Sequence, residues 1–244
     1  MRRIERKGLT QAVASRLQGF QANANVRQAA GTLNVTQHWD ARRQSKAILK
    51  TLATLQAMSG PRQRCMYCVD SLATDIEHFW PKNPYPSSMY VWPNLLVACT
   101  QCGRFKGDAF PLNAAGLPLL IDPSAEDPWE SLDFDPGTGN LSARFLLGMG
   151  QYSPKGEETV RLLHLDRREG ISAGYRKTYR RLCALVVPWA DDQVPNDYLE
   201  QLSEADDHGI LGWFMRPPGE NEPAFQDFRH RHPNEWHQCQ TIFA

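Results

Sequence analysis

Cys65-Met66-Tyr67-Cys68, then Asp75-Ile76-Glu77-His78-Phe79-Trp80-Pro81-Lys82, then Asn94-Leu95-Leu96-Val97-Ala98-Cys99-Thr100-Gln101-Cys102-Gly103-Arg104-Phe105-Lys106-Gly107-Asp108: these three runs decide how the chain is read. Two Cys-x-x-Cys turns supply four thiolates, the ligand set of a closed tetrahedral zinc site. Cys65, Cys68, Cys99 and Cys102 leave no open position for water, so an ion held by them is structural. A redox pair is disfavoured, because two matched pairs exceed what thiol exchange needs. The pairs stand 30 residues apart, against ~15–20 in a common zinc ribbon. Something sizeable is therefore inserted between the knuckles. Of the other cysteines, Cys183 falls on a helical stripe and reads as core, and Cys239 has no assigned role.

The insert carries chemistry. A neutral histidine is a suitable general base near neutral pH, and His78 follows directly on Glu77. A carboxylate in that place can hold Mg²⁺ or Mn²⁺, which stabilises charge building on a phosphate and its leaving oxygen. The Asn94 amide both donates and accepts, so it can brace the loop. Lys82, Arg104 and Lys106 are the candidate contacts to a nucleic-acid backbone.

The remainder is the setting. The chain has 244 residues, 41% of them hydrophobic, with a mean hydropathy of −0.51, as expected of a soluble globular protein. No apolar run approaches the ~20 residues that span a bilayer. The charged start, Met1 to Lys7, leads into no apolar run, so a signal peptide is not expected and the protein is read as cytoplasmic. In that compartment paired cysteines hold metal more often than they form disulfides. The formal net charge is zero but unevenly spread: residues 1–50 carry ten Lys/Arg against two acids, and residues 190–244 three arginines against eleven acids. Arg161, Arg167, Arg168, Arg176, Lys177, Arg180 and Arg181 form a second basic run. Such runs can meet nucleic acid, and equally can be solvated helix faces or partners of the acidic tail.

Hydrophobic spacing predicts helices over residues 10–31, 41–58, 157–163, 167–187 and 197–207. Asp40 is the expected cap of the second, with Ile48, Leu49, Leu52, Leu55 and Met58 as its buried face. Ile171, Tyr175, Tyr179, Leu182 and Leu185 are the expected buried stripe of the helix over 167–187. A hairpin is expected around Pro136-Gly137-Thr138-Gly139. The last 25 or so residues, with Pro217, Pro218, Pro223 and Pro233, read as irregular, and His230, His232 and His237 there as polar surface rather than a second metal site. The seven tryptophans read mostly as core anchors, with Trp80 the one to test as a base-stacking platform.

The order Cys65-x-x-Cys68, Ile76-Glu77-His78-Phe79-x-Pro81-Lys82, Asn94-Leu95-Leu96 and Cys99-x-x-Cys102 with Lys106-Gly107-Asp108 resembles the HNH nuclease family. The resemblance implies an α+β protein, mostly helical, built around a ββα-metal core with a four-cysteine structural zinc site. It implies that His78 ends a strand and activates the attacking water, that Glu77 takes the place of the metal-binding acid, that Asn94 sits in the connecting loop, and that a helix starts near Cys102. Looser similarity, through residues 2–7, Asp122-Pro123, Asp127-Pro128-Trp129 and Leu163-His164-Leu165-Asp166, points to PtuB-like HNH proteins of Septu and retron-linked phage-defence systems. That similarity implies a controlling ATPase partner, and the expected substrate is DNA or a related nucleic acid. The expected organisation is an N-terminal helical region over 1–60, the HNH core over 61–112, a hairpin and basic helical region over 113–190, and an acidic extension over 191–244.

One residue departs from the family pattern. After its last zinc cysteine the family usually has Asn or His, and here Gly103 stands there. Asp108, Asp75 or a water completes the catalytic metal site, or the nuclease is weakened. The competing readings are therefore a metal-dependent endonuclease, a weak or inactive zinc module that binds nucleic acid or a partner, and a scaffold subunit that docks through the acidic tail.

Overall fold

The computed structural model describes residues 1–190 and 193–243. The architecture is α+β, dominated by helix, with three separate two-stranded antiparallel sheets among the described residues. The chain forms two compact units, Arg3–Glu126, and Met1–Arg2 with Asp127–Ala244. No helix among the described residues is long and apolar enough to cross a membrane.

The first of these units opens with helix α1 (Gln11–Ala29), which buries Val13, Leu17, Phe20, Gln21 and Ala24 at helical spacing. Two helices follow where one was expected. α2 (Val35–Asp40) starts at Asn34, whose side chain accepts from the Gln37 N–H at 2.9 Å. α3 (Lys46–Met58) starts at Ser45, whose hydroxyl accepts from the Ile48 N–H. Asp40 therefore ends a helix instead of capping one. Breaking the chain here lets α2 turn His38 and Trp39 inward, and Ser45 is as good a cap as Asp. The buried face of α3 is rotated accordingly: Thr51 is buried, its hydroxyl donating to the Ala47 carbonyl at 2.9 Å, while Leu49 is exposed.

Strands β1 (Asp75–His78) and β2 (Leu95–Ala98) pair antiparallel, with Glu77 opposite Leu96 and His78 opposite Leu95. Every residue of β2 is buried. Helix α4 (Thr100–Lys106) follows β2 directly. The long connection between the strands is held from the N-terminal segment. Arg6 donates to the carbonyls of Trp92 (2.9 Å), Pro93 (3.0 Å) and Leu95 (3.1 Å), and also to the Ser124 hydroxyl. The Ile4 N–H donates to the Pro123 carbonyl at 2.7 Å.

In the other unit, β3 (Leu132–Phe134) pairs with β4 (Leu141–Ala143), and β5 (Phe145–Leu146) with β6 (Gln151–Tyr152). The expected turn closes the first hairpin: the Asp135 carboxylate accepts from the Gly137 N–H and the Thr138 hydroxyl. α5 (Pro154–Leu163) and α6 (Glu169–Val186) follow, the latter burying Ile171, Tyr175, Thr178, Leu182 and Val186. α7 (Tyr198–Ala205) and α8 (Leu211–Phe214) lead to α9 (Pro223–Arg231) and α10 (Pro233–Phe243), where irregular chain was expected. Of the four prolines read as marking irregular chain, Pro223 and Pro233 are the first residues of these helices, where a missing N–H costs nothing and the fixed φ suits the first turn. Phe225 stacks on Phe214 with ring centroids 3.9 Å apart, and Trp236 is buried beside Phe225 and Phe228. The acidic segment is thus mostly folded around an aromatic core; Asp191 and Asp192 lie outside the described residues. His230 and His237 are exposed, and His232 Nε2 is spent on the Trp189 carbonyl.

Arg6→Ala leaves three backbone carbonyls without their charged donor. It is expected to cost ~2 kcal/mol, read as a lower urea midpoint with an unchanged slope.

Candidate functional site

The two cysteine knuckles come from different elements. Cys65 and Cys68 sit in a turn closed by the isolated bridge Arg64–Leu72, in which the Val69 N–H donates to the Cys65 carbonyl and Val69 takes φ 53°. Cys99 caps α4, its Sγ accepting from the Cys102 N–H at 3.4 Å. The knuckles are joined through β2, the Met66 N–H donating to the Val97 carbonyl at 3.0 Å. All four cysteines are buried and free of disulfides, and their sulfurs lie within 4.8 Å of one another. Cys68 and Cys99 sulfurs are 3.9 Å apart, matching the ~3.8 Å edge of a tetrahedron with Zn–S bonds of ~2.3 Å. Burial pushes the Cys65 thiol well up, while hydrogen bonds from Cys102, Cys65 and Cys68 pull Cys99 down. Four buried sulfurs so close need a cation to be charged together, and zinc fits them. Tyr67, inside the first knuckle, is fully buried with its hydroxyl unbonded; burial keeps it protonated.

β1 carries the acid and the histidine. Neighbouring strand residues point to opposite faces. Asp75 and Glu77 turn toward α4, where Asp75 accepts from the Thr100 hydroxyl and Glu77 meets Lys106. His78 turns the other way. Its ring lies edge-on to Trp39 of α2, centroids 4.6 Å apart, and its Nε2 is 3.0 Å from the Met89 carbonyl. A carbonyl only accepts, so Nε2 carries the proton and Nδ1 the lone pair of the neutral ring. Burial, reinforced by the positive charge of Lys82, lowers the His78 pKa to about 3. The ring is therefore neutral at physiological pH.

Asn94 is fully engaged. Its Oδ1 accepts from the Trp80 N–H at 2.7 Å, and its Nδ2 donates to the carbonyls of Trp80 (3.0 Å) and Ser88 (2.9 Å). Its own carbonyl accepts from the Phe79 N–H. The loop after His78 is thereby tied to the residue just before β2. Trp80 packs against Phe110 and Tyr85.

Lys106, expected to meet a nucleic-acid backbone, is instead turned into the protein. Its side chain is wholly buried, and Nζ donates to Glu77 Oε1 at 2.9 Å and to the His78 carbonyl at 2.7 Å. Burial raises the Glu77 pKa and the Lys106 charge opposes that rise. Lys82 is half-buried, and Arg104 and Asp108 are exposed, Asp108 accepting from the Asn83 amide at 2.7 Å. Gly103 lies beside Glu77: a Cβ on it would come 3.3 Å from Glu77 Oε2. Among the described residues the four cysteines are the one group of three or more His, Cys, Asp or Glu placed to hold an ion together. Glu77 stands outside that group. Sequence reasoning assigned no role at this site to Trp39, Met89 or Arg6, although Arg6 lies in the segment 2–7 that carries the looser similarity.

No protein-family model matches the chain. It is 27% identical over 123 residues to Septu protein PtuB of Bacillus thuringiensis, a match that covers 48% of this chain and 42% of that protein.

Cys99→Ser is expected to drop bound zinc well below one equivalent per chain and lower the melting temperature by on the order of 10 °C. Zinc release to a chromogenic chelator and circular dichroism measure both.

Proposed function

We propose that this chain is an HNH-type phosphodiesterase serving an anti-phage defence complex, with DNA as substrate and an ATPase as controlling partner. The observation that carries the reading is the hairpin β1–β2 followed by α4, which sets His78 with a fixed tautomer at a strand end, closes the loop behind it with Asn94, and anchors α4 through the cysteine cluster. The similarity to Septu protein PtuB supports the defence setting and the existence of a partner.

In this reading Nδ1 of His78 takes a proton from a water whose oxygen forms a new bond to phosphorus. The bridging P–O bond opposite breaks, and the departing oxygen is protonated from solvent. Met89 holds the ring so that Nδ1 stays the basic nitrogen, and Asn94 fixes the backbone that follows it. Glu77 would hold a divalent ion, which would supply positive charge for the phosphate and its leaving oxygen. Lys82 and Arg104 are the cations left to meet the nucleic-acid backbone, because Lys106 is occupied within the protein.

A second reading has a specific observation behind it. Glu77 is already neutralised by Lys106, and Gly103 presents no ligand. A zinc module that binds nucleic acid or a partner with little or no cutting accounts for that as well.

Plasmid nicking in Mg²⁺ or Mn²⁺, with and without the ATPase, separates the two. His78→Ala is expected to slow nicking by at least ~10²-fold. Equal rates for wild type and variant would remove His78 from the chemistry; retained DNA binding with no nicking in any ion would favour the zinc module.

A further inference from the structure

The two oxygens of Glu77 face different surroundings. Oε1 is 2.9 Å from the Lys106 ammonium. Oε2 faces position 103, where a Cβ would stand 3.3 Å away and no side chain exists. Gly103 and Lys106 are one helical turn apart on α4, so one helix surface both withholds a ligand and delivers a cation. Lys106 cannot swing out to solvent at little cost. Its side chain has no exposed surface, and its second hydrogen bond goes to the His78 backbone carbonyl.

A dication approaching this carboxylate meets an ammonium already bound to it. One shared carboxylate, half neutralised, is a poor site for an ion that gives up its water reluctantly. A phosphodiester changes the balance, because it brings a negative charge and oxygen donors of its own.

We propose that Lys106 is the resting counter-ion of Glu77, and that a divalent cation enters this site only together with the substrate's phosphodiester, because position 103 offers no side chain to hold the ion beforehand. The inference rests on the phosphodiesterase reading of Glu77 and His78. It makes ion binding a consequence of substrate binding, and Gly103 the residue that sets this order.

The test follows Mn²⁺ by the electron paramagnetic resonance signal of the free ion, using the full zinc-loaded chain. Wild type alone is expected to leave the signal nearly unchanged. A phosphorothioate DNA duplex, corrected for its own Mn²⁺ binding, is expected to bring about tight uptake. Gly103→Asn places an amide oxygen beside Glu77 and is expected to bind Mn²⁺ without DNA at least about tenfold more tightly than wild type, since even outer partners of a ligand change affinity by ~10–100-fold. Gly103→Ala adds the same Cβ without a donor and is expected to behave as wild type; zinc content and circular dichroism confirm that both variants fold. The inference is overturned if wild type alone binds as tightly as Gly103→Asn, if the duplex adds no uptake, or if Ala gains as much as Asn. Plasmid nicking is scored separately. Absence of His78-dependent nicking with the Mn²⁺ pattern intact counts against the nuclease reading alone, and nicking by a wild type that holds Mn²⁺ without DNA counts against the inference alone.

Discussion

Four buried sulfurs within 4.8 Å of one another are the constraint on which the rest of the Arg3–Glu126 unit depends. Thiolates cannot be gathered in a low-dielectric interior without a compensating charge. Once an ion is held, the turn before β1 and the first turn of α4 are fixed to one point. β1 then has little freedom: it leaves the first knuckle and pairs with β2, which runs straight into the second. The short strands could not define this register alone, since an isolated two-stranded hairpin is marginal in water. The cysteine cluster takes the part that a larger sheet plays elsewhere.

Within that frame, the buried pair of Glu77 and Lys106 is a choice with a cost. Taking both charges from water is expensive, and the attraction between them repays it only with good geometry and further hydrogen bonds. The second bond from Lys106 to the His78 carbonyl provides one, and it ties the helix to the strand end where the histidine sits. An apolar pair of similar volume would fill the space as well.

What could be read from the sequence and what could not follows from the range of the interactions. The cysteine spacing, the β3–β4 turn and the Asn94 brace depend on residues close in sequence or on one motif, and each was visible. The split between α2 and α3 was not, because Asp40 and Ser45 are both good caps and only the burial of His38 and Trp39 decides between them. The helices at the C-terminal end were missed because Pro223 and Pro233 mark helix starts as well as breaks, and the aromatic packing that favours the former joins distant residues. Lys106 illustrates the same limit: a lysine two residues from an exposed acid reads as surface, and its burial emerges only when α4 is laid against β1.

Strand alternation gives the adjacent residues Glu77 and His78 separate neighbourhoods, and this division explains why so much of the unit converges on four residues of strand. Glu77 answers to α4 and so to the cysteine cluster, one member of which caps that helix. His78 answers to Trp39 of α2 and to the Met89 carbonyl in the connecting loop, and that loop answers to Asn94 and Arg6. The acid and the histidine are thus positioned by different supports that meet at one peptide, the His78 carbonyl held by Lys106. A disturbance of the cysteine cluster reaches both residues through β2, which pairs with β1 and runs into Cys99, and Glu77 also through α4, whereas a disturbance of the 86–94 loop reaches His78 first. Two adjacent side chains in such a strand can be tuned separately.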